Sequence, residues 1–239
     1  MGQFPFRRLQ AELAELISSL PAESRLPSEP DLAKQLGVSR ATLREAMRSF
    51  EGQGLIRRRQ GVGTFVVGSV PVLDSGLEVL ESIESLAART GLKVRMGELN
   101  VQEMEASEEQ AVTCQVTKGS RLTRVSRVIY TDARPIAYLV DTLPVDILAA
   151  QDLEADFTGS VLDLLLSRGK PKLSQSRTDI KAISAPSDVA RPLQIQRDDV
   201  LLQFIAHLYA ADGRMVDYSI SYFLPGYFRF HVVRKVGSL

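Results

Sequence analysis

Residues 37–50 read GVSRATLREAMRSF. Leu43, Ala46, Met47 and Phe50 fall at i, i+3, i+4 and i+7, one face of an amphipathic helix, while Arg40, Arg44 and Arg48 recur at every fourth position along another. Taken alone, such a stripe is equally a solvated helix face or a surface for polyanions. The flanking sequence decides between them.

Just upstream, LPSEPDLAKQLG (26–37) predicts a short helix. Ser28 is its natural N-cap, Asp31 stands at the capping-box position, and Gly37 supplies the left-handed residue after its end. Val38 fills a three-residue turn and Ser39 caps the next helix. Two short helices joined by a glycine-containing turn are the helix-turn-helix pattern. Further upstream, Leu9, Leu13, Leu16, Ile17 and Leu20 keep a helical period that Pro21 ends. Downstream, GLIRRRQGVGTFVV (54–67) predicts two strands around Gln60, Gly61, Val62 and Gly63, with glycines where positive φ is needed.

Three helices and a hairpin make a winged helix-turn-helix over residues 1–68. Its third helix docks an apolar face on the other two and leaves Arg40, Thr42, Arg44 and Arg48 outward. The N-terminal end of that helix can enter a major groove, where arginine reads guanine edges and hydroxyls hold phosphates. Arg57, Arg58 and Arg59 flank the wing, and glycine at its tip permits close approach to a nucleic-acid backbone. Turn, spacing and wing together favour DNA over a solvated face.

The whole chain, 239 residues with 44% hydrophobic and 24% charged, has the composition of an ordinary globular protein and zero formal net charge. That neutrality hides a split. Residues 1–70 carry ten Lys/Arg against seven Asp/Glu, leaving nineteen against twenty-two for the remainder. No apolar run approaches the roughly 18–20 residues that span a membrane, and the N-terminus lacks the order of a signal peptide. Cys114 stands alone, and His207 and His231 are the only histidines, so neither a disulfide nor a metal cluster is expected. A cytoplasmic protein without cofactor or metal is the expectation.

Residues 26–66 resemble the DNA-binding domain of the GntR family of bacterial transcription regulators. The resemblance implies a homodimer whose paired recognition helices read a short inverted repeat in double-stranded DNA. It implies DNA contacts by Ser39, Arg40, Thr42, Arg44, Gln60 and Gly61; Ser28, Arg48 and Gly63 join them as candidates from cap, stripe and wing. The family usually has a basic residue after the Ser-Glu of LPSE, where this chain has Pro30, so one contact and the operator are expected to differ.

The small, Pro- and Gly-bearing segment at 69–77 predicts a linker. A helix through LEVLESIESLAART (77–90), stopped by Gly91, follows it. The remainder, 78–239, contains an internal repeat, in which residues 111–144 align with 190–225. Gln115 matches Gln194, Val116 matches Ile195, Leu122 matches Leu201 and Tyr130 matches Tyr209. After a one-residue shift, Asp132, Arg134 and Tyr138 match Asp212, Arg214 and Tyr218. Each copy predicts a short helix and a hairpin turning at Asp132-Ala133 or Asp212-Gly213. Two such hairpins would pair into one antiparallel sheet, covered by a helix that Ser160 caps and Gly169 ends. The expected fold is a pseudo-twofold α+β domain with a cleft between its halves.

No nucleophile elbow, phosphate loop, dinucleotide fingerprint or metal-spaced cluster occurs in the sequence, so no catalytic residue is assigned and a binding pocket outranks an active site. This part is similar to the UTRA domain, the effector-binding domain of the HutC subfamily of GntR regulators, with a chorismate-lyase-like fold. The similarity rests on the Arg-x-x-Tyr-x-Asp-x-x-Pro-x-Ala-x run from Arg127 and on the DGRMVDYSISYF stretch near the end. It implies effector contacts by Arg127, Arg177, Asp217 and Tyr227, with Tyr138 in the same run. Leu139 stands where relatives often have an acid, and FLPGYF replaces the usual ending. Both departures point away from a phosphosugar, toward a less polar or differently charged effector. The sequence leaves two rivals open: an enzyme on the chorismate-lyase-like shape, and a DNA-binding protein without an effector.

Overall fold

Apolar spacing draws the first three helices into one core. The computed structural model describes residues 3–52, 55–59, 61–67, 72–131, 134–153 and 157–235. In it α1 (Gln3–Ser19), α2 (Glu29–Gln35) and α3 (Arg40–Gly52) pack Leu9, Leu13 and Ile17 against Leu32, Leu43, Met47 and Phe50. Both expected caps form. Ser28 accepts the Asp31 amide, Ser39 accepts the Thr42 amide at 3.1 Å, and Gly37 takes φ +64°. Because the i, i+3, i+4, i+7 face of α3 is spent on this core, its arginines must point away from it.

The wing pairs β1 (Ile56–Arg59) with β2 (Gly63–Val66), running from Ile56↔Val66 to Arg59↔Gly63. The loop before α2 adds to it. Glu23 and Leu26 donate their amides to Val66 and Thr64, and Val66 donates to Ser24. This third strip of backbone fixes the wing against the helices. Gly63 is required by its backbone, whose φ of +137° L side chains rarely adopt, while the nearby Arg25 side chain could shift to make room for a Cβ.

The linker expectation covers a paired segment. Leu73–Gly76 form β3, which runs parallel to β10 (Phe228–His231), with Leu73 opposite Phe228 and Gly76 opposite His231. The helix expected from Leu77 begins later, as α4 (Ile83–Thr90). Ser82 caps it by accepting the Ser85 amide at 2.9 Å, whereas Leu77 gives its amide to His231 and so stays with β3. Gly91, left-handed at φ +73°, ends the helix as expected.

The rest of the body is a six-stranded antiparallel sheet. Its strands are β4 (Val94–Glu105), β5 (Arg121–Thr131), β6 (Arg134–Pro144), β7 (Leu173–Ser184), β8 (Val200–Ala210) and β9 (Met215–Phe223), in the order β4-β5-β6-β9-β8-β7. That order is a palindrome about the β6–β9 pair, as the repeat requires. The copies match in detail. Gln115 follows α5 (Glu108–Thr113) and Gln194 follows α7 (Ser187–Ala190), and both take positive φ, at 51° and 54°. In each copy the next residue donates back to the helix, Val116 to Ala111 and Ile195 to Ala190. The second hairpin turns at Gly213 with φ +85°; the turn at Asp132 and Ala133 lies outside the described residues.

Both sheet faces are covered at the centre. α4 and α6 (Val161–Arg168) lie over one face, and α5 and α7 over the other. The central strand β6 is therefore buried almost throughout, and its apolar run from Ile136 to Val140 reflects cover on both faces. The edge strands β4 and β7 keep exposed charges, among them Arg95, Glu105, Arg177 and Lys181, which discourage pairing with another sheet.

Candidate functional site

The first candidate surface is the outer face of α3. Ser39, Arg40, Thr42, Arg44 and Arg48 are all exposed on it, and Ser28 lies exposed at the start of α2. The basic residues are mostly held by acids of the same domain. Arg44 Nε sits 2.6 Å from Glu29 Oε2, and Arg58 reaches the other oxygen of Glu29 at 3.3 Å. Arg57 and Arg59 approach Glu23 at 3.9 and 3.6 Å, and Arg48 approaches Glu45 at 3.6 Å. Arg40 has no ion-pair partner among the described residues. These surface pairs are cheap to exchange for phosphate, since exposed ion pairs contribute about 0–1 kcal/mol. Gly61, at φ +73°, leaves the wing tip without a side chain; Gln60 lies outside the described residues.

The second candidate is buried. Arg127 faces the same side of the sheet as Leu139, its partner across β5 and β6, and as Asp141 two residues further on. Asp141 lies opposite Ser219, so Asp217 shares that side as well. The Arg127 side chain is 5% exposed; Nη1 donates to Asp141 and Nε donates to the Gly159 carbonyl just before α6. Two helix starts close over this pair. Ser82, the cap of α4, donates to Asp163 in the first turn of α6 at 2.6 Å, and Ser160 accepts the Asp163 amide at 2.9 Å. Glu84 of α4 lies beside Gly159, within 2.9 Å of where a Cβ on that glycine would stand.

Carboxyls outnumber cations here. Burial drives the Asp217 carboxyl well above the ordinary range, and the neighbouring Asp141 pushes it further up. Burial likewise raises Glu84, against the pull of Arg127. Among the described residues Asp217 Oδ1 and Glu84 Oε1 are buried without a hydrogen-bond partner, while the Asp217 carboxyl also meets the Asp141 side chain and the Thr142 backbone.

The predicted effector residues separate into four places. Arg127 and Asp217 come together in the buried cluster. Tyr138 stands on the opposite sheet face, in an open cleft of about 460 Å³ between α5 and α7, with Arg124, Tyr218 and Tyr222. Arg177, on edge strand β7, has its side chain 77% exposed and pairs loosely with Asp179 at 3.8 Å. Tyr227 is buried at the junction of head and body, where its hydroxyl accepts from Arg134 Nη1 at 3.3 Å. The absent acid on the first hairpin also needs correction. Leu139 does occupy the expected place, but Asp141 supplies a carboxylate to Arg127 from the same strand and the same face.

Head and body touch through Arg134, which also donates to the Val67 carbonyl at 3.3 Å and pairs with Glu23. Gln196 of the body donates to the Arg58 carbonyl of the wing, also at 3.3 Å. These contacts border a cleft of about 430 Å³ between wing and body. Inside it, burial raises both Glu51 and Asp199.

Comparison with known proteins bears on both surfaces. The family of bacterial regulatory proteins named gntR matches residues 5–66, and the UTRA domain matches residues 89–229. The chain is 31% identical over 208 residues to the histidine utilization repressor of Pseudomonas aeruginosa, covering 84% of this chain and 81% of that one. It is 26% identical to the transcriptional repressor NagR of Bacillus subtilis, covering 90% and 85%. In structure it is similar to PhnF of Mycobacterium smegmatis, with a TM-score of 0.64 at 21% identity over 96% of this chain and 100% of that one.

The chain belongs to the GntR family and carries a UTRA domain. It is an effector-modulated, DNA-binding transcriptional regulator rather than an enzyme. Its one cysteine is buried, and burial pushes the Cys114 thiol up to about 11. Sequence reasoning about the regulator missed Asp141, Glu84, Ser82 and Asp163. Asp141 was findable, since it alternates with Leu139 on a strand whose partner carries Arg127. The α4 and α6 residues were not, because only the packing of two separated helix starts brings them to Arg127.

Proposed function

We propose that the repressor acts as a cytoplasmic homodimer. Its head, residues 1–68, lays the N-terminal end of α3 into the major groove, so that two heads read a short inverted repeat. Ser39, Arg40, Thr42, Arg44 and Arg48 contact the DNA with Ser28, Gln60, Gly61 and Gly63, and Pro30 removes one contact common among relatives. The body, 78–239, dimerises and takes a small metabolite, not a phosphosugar, against Arg127 and Asp217. Tyr138, Arg177 and Tyr227 stand apart from this cluster and are not needed for its first contacts.

One observation carries the regulatory part of this reading. The Ser82–Asp163 hydrogen bond closes α4 onto α6 directly above the Arg127–Asp141 pair, and α4 follows β3, the strand that leads from the head. A metabolite entering the cluster must part those two helix starts, and the displacement of α4 passes to the segment that sets head spacing. Such an effector shifts operator affinity only by its differential affinity for the two arrangements, typically about 1–3 kcal/mol. Half-site spacing is geometric, so a small reorientation suffices to release DNA.

Two measurements on the full chain test this. Selection from a random duplex pool should enrich an inverted repeat, and enrichment of unrelated single sites would remove the paired-head reading. A thermal-shift screen against metabolites should find ligands that raise the melting temperature and weaken operator binding together. Tight DNA binding with no stabilising ligand would instead leave a regulator without an effector.

A further inference from the structure

The internal repeat sets an arginine at the start of each returning strand, Arg134 on β6 and Arg214 just before β9. Each reaches the far end of the other returning strand. Arg214 donates through Nη1 and Nη2 to the two carboxylate oxygens of Asp146, at 2.7 and 2.8 Å. Asp146 stands two residues past Pro144, the end of β6. Two residues past the matching Pro225 stands Tyr227, and Arg134 donates to its hydroxyl at 3.3 Å. A neutral hydroxyl thus takes the place of a carboxylate. Arg134, its side chain 16% exposed, has no carboxylate partner in the body among the described residues. Its partner comes from the head: Nη2 pairs with Glu23 Oε1, and Nη1 also donates to the Val67 carbonyl.

The second contact between head and body follows the same pattern. Gln196 donates to the Arg58 carbonyl of the wing at 3.3 Å, whereas its match in the repeat, Thr117, turns to Ser120 of its own turn at 2.9 Å. Glu23 is itself divided. While Oε1 meets Arg134, Oε2 lies 3.9 and 3.6 Å from Arg57 and Arg59 of the wing. Its backbone is held at φ +64°, uncommon outside glycine, with its amide on the Val66 carbonyl at 2.9 Å.

Resting on the reading that the wing approaches DNA, we propose that Arg134 is a positioning residue for DNA binding, which draws Glu23 onto the body and frees Arg57 and Arg59 for phosphate. It touches no DNA and acts through Glu23. Without it, one carboxylate is left to the two wing arginines, competes with phosphate for them and repels the DNA backbone. Parting the head from the body therefore returns Glu23 to the wing and weakens DNA binding.

Affinity of the full chain for a mixed-sequence duplex at low salt tests this. Arg134→Met should weaken binding by about threefold or more, while Glu23→Gln binds at least as tightly as the parent. The double variant should return to the level of Glu23→Gln, a non-additivity that a merely structural role would not produce. Tyr227→Asp gives Arg134 the carboxylate that Arg214 already has, and should weaken binding as Arg134→Met does. Should Tyr227→Asp fold poorly, the Glu23 cycle stands by itself. Arg214→Met breaks the matching pair inside the body and should leave DNA affinity unchanged. Unchanged affinity in Arg134→Met, the same loss with Glu23→Gln present, or an equal loss in Arg214→Met would each overturn the proposal. Unchanged affinity in Arg59→Ala would instead remove the underlying reading of the wing.

Discussion

In the head, Arg44 and Arg58 share Glu29 while Arg57 and Arg59 share Glu23, all at or near the surface. In the body, Arg127 and Asp141 pair with side chains 5% and 10% exposed, under two helix starts. The same chemical partners therefore do different work. Exposed pairs are weak, screened by salt and ready to be replaced by phosphate. The buried pair cannot let go without leaving a charge uncompensated, so it responds only to something that enters beside it. In the proposed regulation the surface pairs give way to phosphate, and the interior pair responds to an effector that enters beside it.

The largest effect should come from breaking the interior pair. Arg127→Met leaves Asp141 and Asp217 without their cation and should cost about 3–5 kcal/mol of body stability, measured by denaturant unfolding. A cost below about 1 kcal/mol would place Arg127 with the surface pairs of the head. The counterpart change, Arg44→Ala, should leave stability almost unaltered yet remove about 1–3 kcal/mol of specific DNA binding, while non-specific binding largely survives. Unchanged operator affinity would refute the assignment of α3 as the reading helix.

The contrast can be sharpened with pH. Because Asp217 and Glu84 are raised in the folded state, the folded chain holds more protons than the unfolded one above the ordinary carboxylate range. Stability from these groups is therefore full below that range and falls as the pH climbs through their folded values. Asp217→Asn should flatten that fall in a melting-temperature series across pH; a curve parallel to that of the parent would show Asp217 ionising normally. Smaller still, Arg134→Ala removes the contacts to Val67, Tyr227 and Glu23. It should change stability by about 1 kcal/mol or less, yet speed the proteolytic separation of head from body several-fold. Smallest of all, Pro30→Arg restores the missing basic residue and should steepen the salt dependence of DNA binding by about 0.9 in the log–log slope.

How much of this was legible depended on distance along the chain. The helices, caps and wing of the head follow from spacings of three to seven residues, so Ser39, Gly37 and Gly63 could be placed from their neighbours alone. The palindromic sheet was legible for a different reason: the repeat states its own symmetry, and Gln115 and Gln194 share even their unusual backbone. The cluster around Arg127 was not, since it gathers residues from 82 to 217 through packing that no local period records. β10 and its pairing with β3 escaped as well, because a four-residue strand whose partner lies about 155 residues away leaves no pattern beside it.

That last pairing has a bearing on how the protein is made. β3 and β10 bring residue 73 against residue 228, so the body is closed by a strand synthesised about 155 residues after its partner. A head that has left the ribosome can fold on its own short-range contacts, but the strand beside its tether does not yet exist. Only when the C-terminal residues emerge does the tether become fixed to the domain that senses the effector. The order of translation thus makes the DNA-binding head well before the strand that clasps its tether, and a change that frays β10 would be expected to return the tether to that earlier condition.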